Sequence, residues 1–159
     1  MLTYAVTNLG AFAIVSLLAE KNDRRTEFED YNGIGFKAPF LAFSLSLFML
    51  SLLGLPLTAG FIGKVLVFRP ALEAGNVLLT ILVVVAVINT AISAYYYLRL
   101  IVVMFFKDRT SDWVSPKIPA AVTTAIIAAV VGVFYLGIFG GAVIEQFSKS
   151  RAGAVRAEK

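Results

Sequence analysis

The stretch APFLAFSLSLFMLSLLGLPLTAGFIGKVLVFRPAL, residues 38–72, decides the fold. Its 35 residues carry two charges, Lys64 and Arg69. As one continuous helix it would run roughly 50 Å at about 1.5 Å per residue, too long for a ~30 Å hydrocarbon core without strong tilt. Two full crossings would need about 40 residues plus a turn. The middle reads Gly54-Leu55-Pro56-Leu57-Thr58-Ala59-Gly60, and Pro56 cannot continue the ladder of backbone hydrogen bonds. The economical solution is one crossing made of two half-helices, broken near residues 55–57. Thr58 is placed to cap the second half, or to satisfy a freed backbone group. Such a break at membrane depth is tolerated only against protein or a water-filled cavity. An ordinary Pro-kinked helix and a tight two-helix hairpin are the alternatives.

Outward from this segment the pattern repeats. Leu2 to Ala19 is an apolar run of 18 residues, close to the minimum for spanning. No basic residues precede it, and Leu18-Ala19-Glu20-Lys21 is a poor cleavage site, so it does not read as a signal peptide. The chain starts inside this run, as expected of the C-terminal part of something longer. Residues 20–37 form a polar loop with a turn signal at Asn32-Gly33. Val77 to Phe106 is a long helix ending in Tyr95-Tyr96-Tyr97-Leu98-Arg99 and Phe105-Phe106-Lys107, an aromatic and basic belt suited to a membrane interface. Residues 107–117, with Trp113 and Pro116, are a second polar loop. Ile118 to Ile144 is the last span, and its Gly132, Gly137, Gly140 and Gly141 permit close helix packing. Residues 148–159 read as a frayed polar tail. The expected architecture is all-α: a polytopic transmembrane bundle over residues 1–147, with about four spans (2–19, 38–72, 77–106 and 118–144), one of them discontinuous.

Composition points the same way. Of 159 residues 59% are apolar and only 15% charged, against roughly 45–50% and ~25% in soluble domains. No soluble fold could cover the uncharged stretches with polar groups. Cysteine and histidine are both absent, which excludes disulfides, thiolate metal sites and imidazole proton shuttles. Any proton chemistry must run on Lys, Asp, Glu, Tyr or water. The net charge of +4 lies in loops and tail, where it reports topology and not nucleic acid. With one crossing for the broken segment, loops 20–37 and 107–117 share a side and hold seven bases against five opposite, which favours the cytoplasm for those loops.

Lys64 is the residue on which function rests. It sits eight residues past Pro56 with apolar neighbours on both sides. A lysine inside a span costs roughly 2.5–3.5 kcal/mol on insertion scales and so faces a cavity or a partner. The bland alternative is a snorkelling lysine. However, Lys64 to Leu72 is about 12 Å of helix, against a side-chain reach of roughly 6 Å. Asn8 and Asn89 lie at mid-span, and Ser44, Ser46 and Ser51 lie on the first half-helix. Interhelical hydrogen bonding is their favoured reading, with water along a proton wire to Lys64 as the sharper one. Tyr95, Tyr96 and Tyr97 read as a belt before a relay.

Leu53-Gly54-Leu55-Pro56-Leu57-Thr58-Ala59-Gly60-Phe61-Ile62-Gly63-Lys64, followed by Tyr95-Tyr96-Tyr97-Leu98-Arg99, resembles the subunit N family of NADH-quinone oxidoreductase (respiratory complex I), called subunit 2 in plastids and cyanobacteria. Thr3-Tyr4-Ala5-Val6-Thr7-Asn8-Leu9-Gly10 and Asp30-Tyr31-Asn32-Gly33-Ile34-Gly35 look like the same family. The resemblance covers essentially the whole chain but about the last third of such a subunit. It implies spans eleven to fourteen of fourteen, with the twelfth discontinuous. It also implies that Lys64 is the terminal residue of the subunit's proton path, in the exit half-channel, supported by Pro56, Thr58, Gly60, Gly63, Asn8 and Asn89. The entry half-channel of the family lies on earlier spans absent from these residues. The implied partners are the other membrane subunits of complex I and the lipid bilayer. Quinone and NADH would be met only through the complex, and no cofactor or redox site is expected in this chain. The implied location is a bacterial inner membrane or a thylakoid-type membrane. Two alternatives stand beside it: a subunit of a multisubunit cation/proton antiporter, and a structural membrane module that transports nothing.

Overall fold

A computed structural model describes residues 2–19, 28–108 and 118–157, with side chains described from residue 4 to residue 140 within those stretches. All regular structure among the described residues is helical: α1 (Leu2–Leu18), a 3₁₀ turn (Phe28–Tyr31), α2 (Ile34–Lys37), α3 (Pro39–Leu53), α4 (Ala59–Glu73), α5 (Val77–Phe106) and α6 (Ala120–Ala157). Two of them, Val77–Phe106 and Ala120–Gly140 within α6, are long and apolar enough to cross a membrane, and Tyr4–Leu18 and Pro39–Leu53 are shorter apolar helices.

Local chemistry sets the boundaries. Pro39 opens α3 at its first position, where the missing N–H removes no helical bond. Helix α3 closes at Gly54, which takes the left-handed conformation at φ 92°. The N–H of Leu55 donates back to Leu50 O at 3.0 Å and that of Gly54 to Ser51 O at 3.0 Å, the paired closure that a left-handed glycine permits. Pro56 follows two residues later, where it can no longer continue the helix. At the start of α5, the Asn76 side chain accepts from the Leu78 N–H at 2.9 Å, an N-cap.

Helix α3 is the centre of the bundle, in contact with α1, α2, α4, α5 and α6. Its Leu41, Leu45 and Phe48 are fully buried with Ile14, Met104, Ile126 and Val133 from α1, α5 and α6. A Cβ at Gly10 would press on the Phe48 ring, so α1 lies close against α3. Between α1 and α6 runs an apolar groove of about 690 Å³ past Gly10, Ala129 and Gly132.

Two features differ from the sequence reading. Residues 28–37, read as polar loop, form the 3₁₀ turn and α2, which pack on α5. Tyr31 and Ile34, three residues apart, bury on one side, and the Gly33 N–H donates to Val103 O at 3.3 Å. At the other end α6 continues to Ala157, through the residues read as a frayed tail. Gln146, Lys149, Arg151, Ala152, Ala154 and Arg156 are good helix formers, and propensity carries the backbone on where apolar periodicity has stopped. Trp113, Pro116 and the charged residues 20–27 lie outside the described residues.

Candidate functional site

The site is built where helical bonding fails, over residues 54–58 between α3 and α4. Leu57 occupies φ 76°, which is sterically costly for a residue with a branched side chain and persists only when its surroundings hold it. Those surroundings are tight. A Cβ at Gly137 of α6 would overlap Leu57 O and the Thr58 backbone, and one at Gly60 would overlap the Ser51 carbonyl. Glycine at 60 and 137 thus lets two backbones press on the break from either side. Thr58 stands at the N-cap position of α4 but its side chain makes no cap bond there. Its hydroxyl donates instead to Leu55 O at 2.6 Å, satisfying a carbonyl freed by the break. Ser51 Oγ accepts from the Gly60 N–H at 3.4 Å.

The same break exposes the carbonyl of Leu53, the last residue of α3, and Lys64 takes it. Lys64 Nζ donates to Leu53 O at 2.7 Å and to Thr90 Oγ1 of α5 at 3.3 Å. Lys64 and Leu53 are eleven residues apart, so the lysine folds back along the first turns of α4 to the end of α3. Gly54 makes room: a Cβ there would stand 3.2 Å from Lys64 Cδ and 3.3 Å from Nζ. Among the described residues no carboxylate pairs with Lys64; Glu73 pairs with Arg69 at 2.8 Å, on the exposed face of α4. The negative partner is the C-terminal end of α3, where unpaired carbonyls carry the partial charge of the helix dipole.

Beyond the amine opens a cavity of about 320 Å³. Lys64, Tyr4, Asn8, Asn89, Thr90, Ser93 and Tyr97 line it, with Leu52 the one aliphatic wall. That volume and those donors and acceptors suit several waters. A second cavity of about 150 Å³ shares Asn8, Leu52 and Tyr97 and continues among apolar side chains. The larger groove between α1 and α6 has Tyr135 as its one polar side chain and does not reach Lys64.

Of the residues singled out in the sequence, Lys64, Asn8 and Asn89 meet at this cavity, from α4, α1 and α5. Pro56, Thr58 and Gly60 form the break beside it, and Gly63, half-buried, lies 3.7 Å from Tyr4 by its absent Cβ. Ser46 and Ser51 do not line it: Ser46 bonds Ala42 O at 2.8 Å and Ser51 serves Gly60. Tyr95 and Tyr96 are exposed and meet edge to face at 5.5 Å, whereas Tyr97 turns into the cavity. Arg99 stacks over the Phe28 ring at 5.2 Å. Thr90, Ser93, Tyr4 and the Leu53 carbonyl were not read from the sequence. Thr90 offered a signal, a polar residue next to Asn89 in an apolar helix; a backbone carbonyl offers none.

A family model described as NADH:quinone oxidoreductase/Mrp antiporter, transmembrane, matches residues 1–93, which include the break, Lys64 and Thr90. The chain belongs to this transmembrane family. Within it, the chain is 42% identical over 151 residues to NADH-quinone oxidoreductase subunit N 1 of Solibacter usitatus, covering 94% of this chain and 30% of that protein. It is 44% identical over 131 residues to subunit N of Trichlorobacter lovleyi, covering 81% of this chain and 26% of that one. A chain of respiratory complex I from Thermus thermophilus, solved with bound aureothin, superposes with a TM-score of 0.72 at 34% identity, over 90% of this chain and 33% of that chain. The chain thus spans about 30% of the length of the subunit N relatives it matches. The helical fold of this antiporter-type family is that of a complex I membrane subunit.

Proposed function

We propose that this chain is part of a proton-translocating membrane subunit of NADH-quinone oxidoreductase, of the subunit N type, and that Lys64 is a proton relay in its exit half-channel. The observation that carries the reading is the position of Lys64: its amine is held at a helix break, on a freed carbonyl and a threonine, at the wall of an open polar cleft in an otherwise apolar bundle. Satisfying one freed carbonyl does not by itself call for an ionisable group, which costs roughly 2.5–3.5 kcal/mol inside a span. Its value lies in taking up and giving off a proton. Pro56 and Gly54 create the carbonyl, Thr58 and Gly60 close the break, and Asn8 and Asn89 hold water against the amine.

The proposal places four crossings in the bilayer, α3 and α4 together forming one. The segments before α3 and after α5 face the cytoplasm, or its equivalent across a thylakoid-type membrane, by their excess of bases. Partners are other membrane subunits of the complex. NADH oxidation and quinone reduction occur elsewhere in that complex, and this chain contributes to the coupled proton step alone. The names of its relatives favour this over a cation/proton antiporter subunit.

Lys64→Ala in the full subunit, within the intact complex reconstituted in vesicles, tests it. The expected result is assembled complex that has lost NADH-driven proton translocation. Assembled complex that pumps at the wild-type rate would remove the relay role from Lys64. Sodium-dependent proton flux without quinone reduction would move the chain to the antiporter subunits.

A further inference from the structure

We propose that Thr90 is a positioning residue that confines proton exchange at Lys64 to the cavity side of the amine; the inference rests on the relay reading of Lys64. The argument starts from hydrogen-bond inventory. The Thr90 hydroxyl has one proton, and it donates that proton to Ala86 O, one turn back in α5, at 2.9 Å. Towards Lys64 it therefore offers only lone pairs. The other partner, Leu53 O, is a carbonyl and also only accepts. Both contacts are thus satisfied by N–H bonds of the lysine, whether the nitrogen carries three protons or two.

The third direction around the nitrogen is what changes. In the charged form it holds the remaining N–H; in the neutral form it holds the lone pair. Neither Leu53 O nor Thr90 Oγ1 can take or give a proton there, and Gly54 stands against the amine on the α3 side, with its absent Cβ 3.3 Å from Nζ. The open side is the cavity of about 320 Å³ with Tyr4, Asn8, Asn89, Ser93 and Tyr97 on its walls. On discharge the N–H bond breaks, its electron pair stays on nitrogen as the lone pair, and the proton passes to a water in that cavity. Loading is the reverse. Two fixed acceptors therefore turn a freely rotating ammonium into a group with one exchange face. Thr90 comes from α5 and Leu53 from α3, so a movement of α5 against the break would also turn that face.

The test compares Thr90→Val, which keeps the shape and removes the acceptor, with Thr90→Ser, which keeps the acceptor and removes a methyl. Both are made in the full subunit within the assembled complex in vesicles, with Lys64→Ala alongside, and NADH-driven proton uptake is measured against NADH oxidation. The expected result is T90S at the wild-type rate and T90V about tenfold lower, the scale of losing one hydrogen bond to a charged group. T90V at the wild-type rate, or T90S as impaired as T90V, overturns the positioning role, the second outcome because packing alone would then explain the loss. If T90V does not assemble, Thr90→Ala replaces it under the same criteria, since it adds no new contact. Wild-type pumping in Lys64→Ala would instead overturn the relay reading, a failure separate from that of Thr90.

Discussion

Helices α3 and α4 are equal in length at 15 residues each, lie on either side of one break, and are packed in opposite ways. Helix α3 buries eight of its residues, including Phe48, Leu41 and Ser51; helix α4 buries Ala59 and Gly60 alone, both in its first turn. Helix α3 is apolar all round, α4 is apolar but for Lys64, Arg69 and Glu73, and neither has an amphipathic stripe to announce which way it faces. In a membrane there is no hydrophobic force to sort them, because lipid tails are as apolar as leucine. What sorts them is fit. Helix α3 is a fixed post packed by large side chains, and α4 is mounted on it through a close backbone contact at Gly60, while from α6 Gly137 presses on the backbone of the break and Gly140 meets the Ile62 side chain. The lysine belongs to the mounted half, and its carbonyl partner to the fixed one.

The difference predicts its own order of sensitivity. Phe48→Ala should be the most damaging, because it empties the centre of α3 against Gly10, within the buried cluster that includes Ile14 and Ile126. In lipid the transfer part of the cost shrinks while the lost packing remains, so about 3 kcal/mol is expected. The check is the thermal aggregation midpoint of the detergent-solubilised complex. A midpoint unchanged from wild type would mean that α3 is not the fixed half.

Gly60→Ala should come next, at about 1–3 kcal/mol, the usual range for overpacking. Its Cβ would meet the Ser51 carbonyl, a backbone group that cannot rotate away, so α4 must shift against α3. The signature separating it from Phe48→Ala is functional. A shift of α4 lengthens the 2.7 Å contact from Lys64 to Leu53 O, so proton uptake per NADH oxidised should fall more than stability does. Phe48→Ala should lower stability first. Equal ratios of pumping to stability in the two variants would dissolve the distinction between post and mounted half.

How much of this was legible before the structure follows from where the information sits. Helix α5 has the bounds its apolar run gives, residues 77 to 106, because Gly75-Asn76 and Lys107 mark both ends. Pro56 and Gly54 tell that the ladder must stop, and Lys64 is conspicuous because charge is so costly there. The facing of each helix was not legible. Successive residues on a helix point about 100° apart, so Tyr95, Tyr96 and Tyr97 face three ways, and only the third reaches the cavity. No apolar stripe exists to say which. The acceptor for Lys64 was hidden for another reason: it is the backbone of Leu53, freed by a glycine at the next position, and side-chain identity carries no trace of it. The packing of residues 28–37 was masked by their charge, since Glu29, Asp30 and Lys37 surround the two side chains, Tyr31 and Ile34, that dock.

The smallest effect lies at the far end of the mounted half. Arg69 donates to Glu73 at 2.8 Å, one turn apart, and the two side chains are 76% and 63% exposed. An exposed pair of this spacing contributes little to stability. Arg69→Gln should therefore leave both the aggregation midpoint and proton uptake at wild-type values. A loss of pumping without a loss of stability would be the informative surprise. It would mean that the end of α4 is seated against a partner or a headgroup through Arg69, and that the mounted half is held from outside the bundle as well as by the glycines at its start.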